Sequence, residues 1–455
     1  MISWLLAYKK PWVWVILHIL LGYFSTLTPS VIIAYFYLVL FTSIRAFTSP
    51  KSNITLTILI AYLVPLEIIC RMAQTSPFIP YELSKYLLFV LLVIGIFSGR
   101  NKGRIGLIML ILLLPALTID LSNEVHFKDL VFNVLAPINL CLGVIYFYKQ
   151  RIDIHRIKNI LIALVLPLIS ALIFTYIKTP DYDDIDFQLG ANVETTGGFG
   201  SNQVSTVFGL GMFLMFFLWY KRISLSGSRF FDGALLFLFV LQGLLSFSRG
   251  GMIGGALAIL VFLFFEFRRK EPNKEYKKGI GKYLIPSVFL VLSTIWIAND
   301  ITEGKLLLRY QGETEGTIAG SKEKDLNSIT TNRADIFEGD VLLFSQNPFG
   351  VGAGASKYLR VTQNGVVSHI EFSRLIAEHG YLGLLFFGIL TIIPFYAFAK
   401  KNRSSMKGFM VALFFLAWYT TFHAATRNFV TPLLIGISLI TVINDKTPIP
   451  RKQAQ

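Results

Sequence analysis

The chain has 455 residues, of which 54% are hydrophobic and only 15% charged, with a mean hydropathy of +0.61. A soluble protein of this length carries charge on nearer a quarter of its residues, so a soluble globular enzyme is excluded and a polytopic membrane protein is indicated. The net charge of +15 does not mark a nucleic-acid binder, because no basic-aromatic platform accompanies it and the basic residues are sorted by loop.

In chain order, lysines near the N-terminus precede an apolar run with no small-residue cleavage site behind it, which reads as a first span. Runs of spanning length follow, so that the set lies at about 11–27, 30–45, 54–70, 83–98, 104–119, 130–148, 159–177, 203–220, 231–248, 251–267, 283–298, 381–399, 407–423 and 428–444. The expectation is an all-α, polytopic integral membrane protein of roughly fourteen transmembrane helices, one domain over residues 1–455. Cys70 and Cys141 both fall inside apolar runs, so neither reads as part of a disulfide or a metal site. The 40 Phe and 19 Tyr suit lipid-facing and interfacial positions.

The polar connections alternate in charge. Lys9-Lys10, Arg45 with Lys51, Arg100 to Arg104, Lys149 to Lys158, Lys221-Arg222, Arg268 to Lys282, Lys400 to Lys407 and Arg451-Lys452 lie on one side. That side holds about 28 of the 42 Lys and Arg residues but only about 6 acids. The positive-inside rule makes it the cytoplasmic side and puts both termini there. The outer side carries two insertions. Residues 178–201 are acidic, with Asp181, Asp183, Asp184 and Asp186; their spacing matches no defined cation-binding loop, so a solvated face is the plainer reading. Residues 300–380 form the larger insertion, in which Ile336, Phe337, Val341 and Phe344 make a helical stripe ended by Asn347-Pro348. Such a helix lies on the membrane surface or over a cavity. Few ionisable groups interrupt the spans, Glu67 being the clearest, which argues against a proton-coupled transporter.

The stretch Ser368 to Gly383 is polar and charged, yet the apolar run from Tyr381 to Ala399 begins within it. His369, Glu371, Arg374 and Glu378 therefore ride on the entry to a span, at headgroup level. A titratable ring, two carboxylates and an arginine there suit work on a substrate that is itself half in lipid. Isolated arginines also mark the outer side: Arg249 in Ser246-Phe247-Ser248-Arg249-Gly250-Gly251, Arg333 at the start of the surface helix, and Arg374. Arginine's planar fork suits phosphate oxygens. The plainer reading of each is a pairing with a nearby carboxylate. Gly254 and Gly255 read as packing glycines, while Gly250 and Gly251 also permit a phosphate to approach the backbone. Gly350, Gly352 and Gly354 read as a turn, and His379 reads as structural.

From His369 to Gly380 and Gly383 the chain resembles the histidine–ten residues–glycine signature of the O-antigen ligase and polymerase superfamily, with Ile370 standing where Asn, Ser or Gln is usual. Gly198-Phe199-Gly200-Ser201-Asn202-Gln203, Ser248-Arg249-Gly250-Gly251, and Arg333 followed by Asn347-Pro348-Phe349-Gly350-Val351-Gly352 fall in the family's order. The resemblance implies a GT-C-like membrane glycosyltransferase of the bacterial inner membrane. Such an enzyme takes a glycan from undecaprenyl diphosphate at the periplasmic face, with inversion and with no metal or other cofactor. On that reading His369 is the general base with Glu371 beside it, and Arg249, Arg333 and Arg374 bind the donor diphosphate. Asn202, Ser248, Gly250 and Glu378 are possible substrate contacts. The partners are the lipid-linked donor, membrane lipids, and an acceptor that is either lipid A–core or a second glycan. O-antigen ligase is the first reading; a polymerase of lipid-linked repeats and a protein O-oligosaccharyltransferase stay open. A flippase or lipid-binding scaffold is the alternative of another class, but it needs a polar path across the bilayer, and none is visible in the sequence.

Overall fold

The computed structural model describes residues 10–48, 53–99, 103–119, 125–268, 274–399, 406–426 and 428–443. Several basic clusters used above, including Lys9, Lys51, Arg100, Lys102, Arg269, Lys270, Lys400 to Arg403, Arg451 and Lys452, lie outside the described residues.

Every one of the fourteen apolar runs contains helix, but length and composition qualify seven helices to cross a membrane, with five shorter apolar helices beside them. Two runs show why the counts differ, while the run at 54–70 still counts as one span, Ile54–Met72, although Pro65 breaks it into Asn53–Leu63 and Glu67–Met72. The run at 104–119 holds a helix only over Arg104–Leu113, because Pro115 follows. The run at 428–444 holds a nine-residue helix, Val430–Ser438. Its β-branched end, Thr441–Ile443, instead pairs in parallel with Arg151–Asp153.

Ile154–Lys178 and Ser201–Tyr220 occupy the centre of the bundle, with 83% and 89% of their spanning windows buried, whereas Leu284–Ile301 is 17% buried and faces outward. Lipid tails are as apolar as leucine, so burial alone does not draw helices together; close backbone approach and polar contacts do. Both devices are present. Ser201–Tyr220 and Arg249–Phe267 meet through glycines: a Cβ on Gly251 would strike the Ser205 backbone, and one on Gly255 the Gly209 carbonyl. His18 ties the N-terminal helix Pro11–Leu27 to the centre, with Nδ1 2.7 Å from Ser170 Oγ and Nε2 2.8 Å from Tyr62 OH. Glu67 is paired with Arg71 and accepts from Ser84.

The charge sorting reappears in three dimensions. Lys221 meets Glu266 at 2.9 Å and the Arg151–Asp153 strand meets Thr441–Ile443, each joining a basic connection to the end of an apolar run that leads into another. Lys305 meets Asp186 at 3.5 Å and Lys357 meets Asp129 at 3.1 Å, all from the other set. The Lys305–Asp186 pair joins the acidic loop to the large one. The large loop itself is helical, with short helices at Lys305–Tyr310, Glu315–Ile318, Leu326–Thr330 and Ser356–Leu359 and a longer one at Arg333–Gln346. Ile336, Gly339, Asp340 and Leu343 form that longer helix's inner face. Phe337 and Phe344 lie against Phe372 and Tyr381 of the helix Glu371–Ala399.

Candidate functional site

Between the bundle and this helical loop lies a cavity of about 850 Å³. Its floor is built from Asn202 on the first turn of Ser201–Tyr220, Ser248, Arg249 and Gly250 at the start of Arg249–Phe267, and Tyr419 and His423. Its roof comes from the loop, with Arg309, Tyr310, Asn332 and Arg333. Gln188 to Ala191 of the acidic loop close one side, held there by the Leu189 amide, which donates to Glu315 Oε1 at 2.7 Å. A volume of this size is in the range of small-molecule sites.

Three guanidiniums converge on the space. Arg249 Nη1 donates to the Arg309 carbonyl at 3.0 Å and Nη2 to the Ile329 carbonyl, so the membrane helix braces the roof. Arg333 follows Thr331 and Asn332, both of which hold positive φ, 55° and 61°. That conformation is strained for a β-branched threonine, and it turns the chain so that the helix begins at the cavity wall. No carboxylate among the described residues forms an ion pair with Arg249, Arg309 or Arg333. Burial, with Arg249 and Arg333 adding repulsion, pushes Arg309 down to about 10. Burial likewise lowers Arg333, with Arg249 adding to it. Arginine stays charged at neutral pH, so the cavity lining is cationic, with Lys322 beside the three arginines and Glu315 as its carboxylate.

His369 stands at its edge. Its Nδ1 lies 3.4 Å from Asn202 Nδ2, and the neighbouring Ile370 lines the cavity. Asn202 is held by its own contacts, donating to the His423 carbonyl at 2.7 Å and accepting from Ser248 Oγ at 3.4 Å. Thus Asn202, Ser248, Gly250, Arg249, Arg333 and His369 come together from four separate stretches of chain. A Cβ on Gly250 would meet the His423 ring, and one on Gly254 the Tyr419 ring, so both glycines are also packing positions.

The other expected residues face elsewhere. Arg374 is buried and spends its guanidinium on Glu371 Oε1 at 2.5 Å, Glu378 Oε2 at 3.4 Å and Asn133. It does not line the cavity, and its contacts are those of the plainer reading, a pairing with nearby carboxylates. Glu371 is held by Arg374 and by Thr426 Oγ1 at 3.1 Å, and Glu378 by Ser356 Oγ at 2.9 Å. The reason is helical spacing: residues three and four apart stack on one face, so Glu371, Arg374 and Glu378 satisfy one another before any ligand arrives. His369 precedes the helix and meets Asn202 instead.

The glycines read as a turn do more than turn. The helix Glu371–Ala399 breaks at Gly380, with φ 60° and ψ −140°, and the segment Asn347 to Gly352 is laid across the break. Val351 N donates to Ala377 O at 2.9 Å, Gly352 N to Glu378 O at 3.1 Å, and Tyr381 N to Pro348 O at 2.9 Å. A Cβ on Gly380 would strike the Pro348 carbonyl, and one on Gly350 the Glu378 carbonyl. The glycine ten residues beyond Ser368-His369-Ile370 is therefore the place where the span, the turn and the end of the surface helix lock together. Gly380→Ala incurs both a disfavoured backbone conformation, on the order of 1–3 kcal/mol, and a clash with backbone. A marked fall in the melting temperature of the purified protein is expected; an unchanged one would show that this junction does not hold the cap.

Arg309, Tyr310, Tyr419 and His423 were not singled out from the sequence. Arg309 carried the same signal as the other outer arginines, an isolated cation on the acid-rich side, and His423 is a histidine at the outer end of an apolar run.

Comparison with known families places a model described as O-antigen ligase on residues 233–388. The matched stretch contains Arg249, Arg309, Arg333 and His369 and stops short of Asn202 on one side and His423 on the other. That stretch is similar to the O-antigen ligase family, the family the motif order resembles. No curated protein matches the chain.

Proposed function

We propose that this chain, a multi-pass membrane protein similar over part of its length to the O-antigen ligase family, transfers a glycan from undecaprenyl diphosphate to an acceptor hydroxyl at the outer face of the membrane. Lipid A–core is the acceptor in the first reading, which makes the protein an O-antigen ligase. The observation that carries this is the set of Arg249, Arg309 and Arg333, none of them in an ion pair among the described residues, around a cavity of about 850 Å³, with His369 against Asn202 of its lining.

When the glycosidic bond breaks, negative charge develops on the diphosphate leaving group. Guanidiniums already in place stabilise that charge without reorganising, so Arg249 and Arg333 act on the leaving group and need no metal ion. The attacking hydroxyl loses a proton as the new bond forms, and His369 takes it. Asn202 donates toward Nδ1, which makes that nitrogen the ring's proton acceptor, and the 3.4 Å contact is long enough to yield to an acceptor hydroxyl. Displacement from the face opposite the leaving group inverts the anomeric centre. The arrangement asks of Arg374, Glu371 and Glu378 only that they hold the helix behind His369.

The test is a reconstitution of the purified protein with undecaprenyl-diphosphate glycan, offered lipid A–core or a second lipid-linked donor in turn. Glycosylated lipid A–core is expected. Elongated lipid-linked glycan in its place would make the protein a polymerase, and no transfer to either would remove the transferase reading.

A further inference from the structure

Residues 360–370, the segment that carries His369, contain neither helix nor strand, and most of 361–366 is exposed. A general base needs a fixed geometry, and a loop fixes a side chain less precisely than a helix does. What holds this segment is a charge pair beneath it. Arg360 and Asp340 are 1% and 0% exposed, and Arg360 Nε lies 3.4 Å from Asp340 Oδ1. Neither residue lines the cavity.

The pair reaches both ends of the segment. Arg360 Nε donates to the Ser356 carbonyl at 3.3 Å, in the short helix before the segment, and Nη2 donates to the Val366 carbonyl near its end. Asp340 Oδ2 accepts from Ser373 Oγ at 2.7 Å, on the first turn of Glu371–Ala399, and the Ser368 hydroxyl bonds to the same carboxylate. Ser368 is the residue before His369, and its Oγ also accepts from the Ile370 amide at 3.2 Å. Gly339 leaves room for the contact, since a Cβ there would lie 3.2 Å from Arg360 Cδ and 3.1 Å from Thr362 Oγ1. Asp340 sits about two turns along the helix that Arg333 opens. The segment bearing the base is therefore keyed to the helix bearing a cavity arginine.

Stability does not require charges here. A buried ion pair is close to break-even against apolar side chains of similar volume, because desolvation offsets the Coulomb gain. What charges add is direction: a guanidinium and a carboxylate each bond to several groups at once in fixed geometry. We propose that Asp340 and Arg360 are positioning residues for His369, holding segment 360–370 so that the ring stays 3.4 Å from the Asn202 amide. The proposal rests on the reading of His369 as the general base.

The experiment uses the full-length protein in nanodiscs and measures glycan transfer, undecaprenyl diphosphate binding and amide hydrogen exchange. The double variant Asp340→Leu, Arg360→Met removes both charges at once, so no lone charge is buried and the melting temperature should hold. Donor affinity should stay within about threefold, kcat should fall about 10–100-fold, and the amides of 361–368 should exchange at least about tenfold faster. A pair that served stability alone would leave kcat unchanged in this apolar replacement. Ser368→Ala keeps the pair and cuts its bond to the residue beside His369; it should lower kcat about three- to tenfold at unchanged donor affinity. In the double variant, unchanged kcat, unchanged exchange, or donor affinity that falls in step with kcat overturns the positioning role. If the double variant melts far lower, Ser368→Ala decides alone, and unchanged kcat there overturns the proposal. His369→Ala in the same assay separates the positioning from the base. If it is slow while the double variant is not, the base stands and the positioning falls; if it turns over at the wild-type rate, both fall.

Discussion

Replacing His369 with alanine is expected to slow glycan transfer by about 10²–10⁴-fold, the usual contribution of a positioned general base, while donor binding persists. The separation of the two effects follows from the geometry. His369 stands at the rim beside Asn202, and Arg249, Arg309 and Arg333 line the cavity without it. The loss therefore falls on kcat, not on donor affinity. Protonating an imidazole removes its power to accept the acceptor's proton, so wild-type turnover should decline as pH is lowered. His369→Gln keeps a polar group of similar reach but no titrating base, and the acid limb of its residual activity should disappear. Near-normal turnover in His369→Ala would move the catalytic base elsewhere, His423 being the next ring on the cavity wall.

Removing either arginine should be felt in both binding and turnover. Each charge-assisted hydrogen bond lost from the diphosphate is worth roughly 1.5–3 kcal/mol, or about 10–100-fold in donor affinity. Turnover suffers further because the leaving group is more highly charged at the transition state than in the bound donor. Arg333→Ala is the cleaner experiment. Arg249 also braces the Arg309 and Ile329 carbonyls, so Arg249→Ala loosens the roof as well as emptying the site. Lysine at either position should recover only part of the loss, since a point charge lacks the guanidinium fork. A chelator should leave wild-type turnover unchanged, because arginine supplies the positive charge in this arrangement. Wild-type donor affinity and turnover in both alanine variants would remove the diphosphate assignment.

Two residues of the polar stretch at 368–383 that the sequence sets side by side are placed apart in the fold. His369 and Glu371 lie two apart in sequence, and their proximity suggested a base with its carboxylate. In the fold, helix begins at Glu371, whose side chain turns to Arg374 and Thr426, whereas His369, just before it, meets Asn202 from 167 residues upstream. Neighbours in sequence were parted by the start of a helix, and the pairing that orients the ring came from a distant span. Likewise the Asn347 to Gly352 turn read as local, yet its glycines exist for a backbone-to-backbone contact with Gly380.

Composition alone determined that this chain lives in a membrane, because transfer of apolar residues into lipid depends on how many there are and in what runs. Charge alternation likewise sorted the connections into two sets, because every charged loop must stay in water on one side or the other. The order of the motifs, reading Asn202, Arg249, Arg333 and His369 along the chain, was also visible without coordinates. Tertiary structure decided which apolar runs reach spanning length, since Pro115 shortens one and a strand pairing ends another, whereas Ile54–Met72 still spans despite Pro65. It decided as well which charges cancel and which stay exposed to a ligand. Arg374 and Arg333 are the same side chain on the same side of the membrane, but Arg374 has carboxylates three residues before it and four after it on one helical face, while Arg333 opens its helix at a cavity wall. Coulomb attraction falls with distance, so only the folded positions of Glu371 and Glu378 could determine that one arginine is satisfied and the other is left for a phosphate.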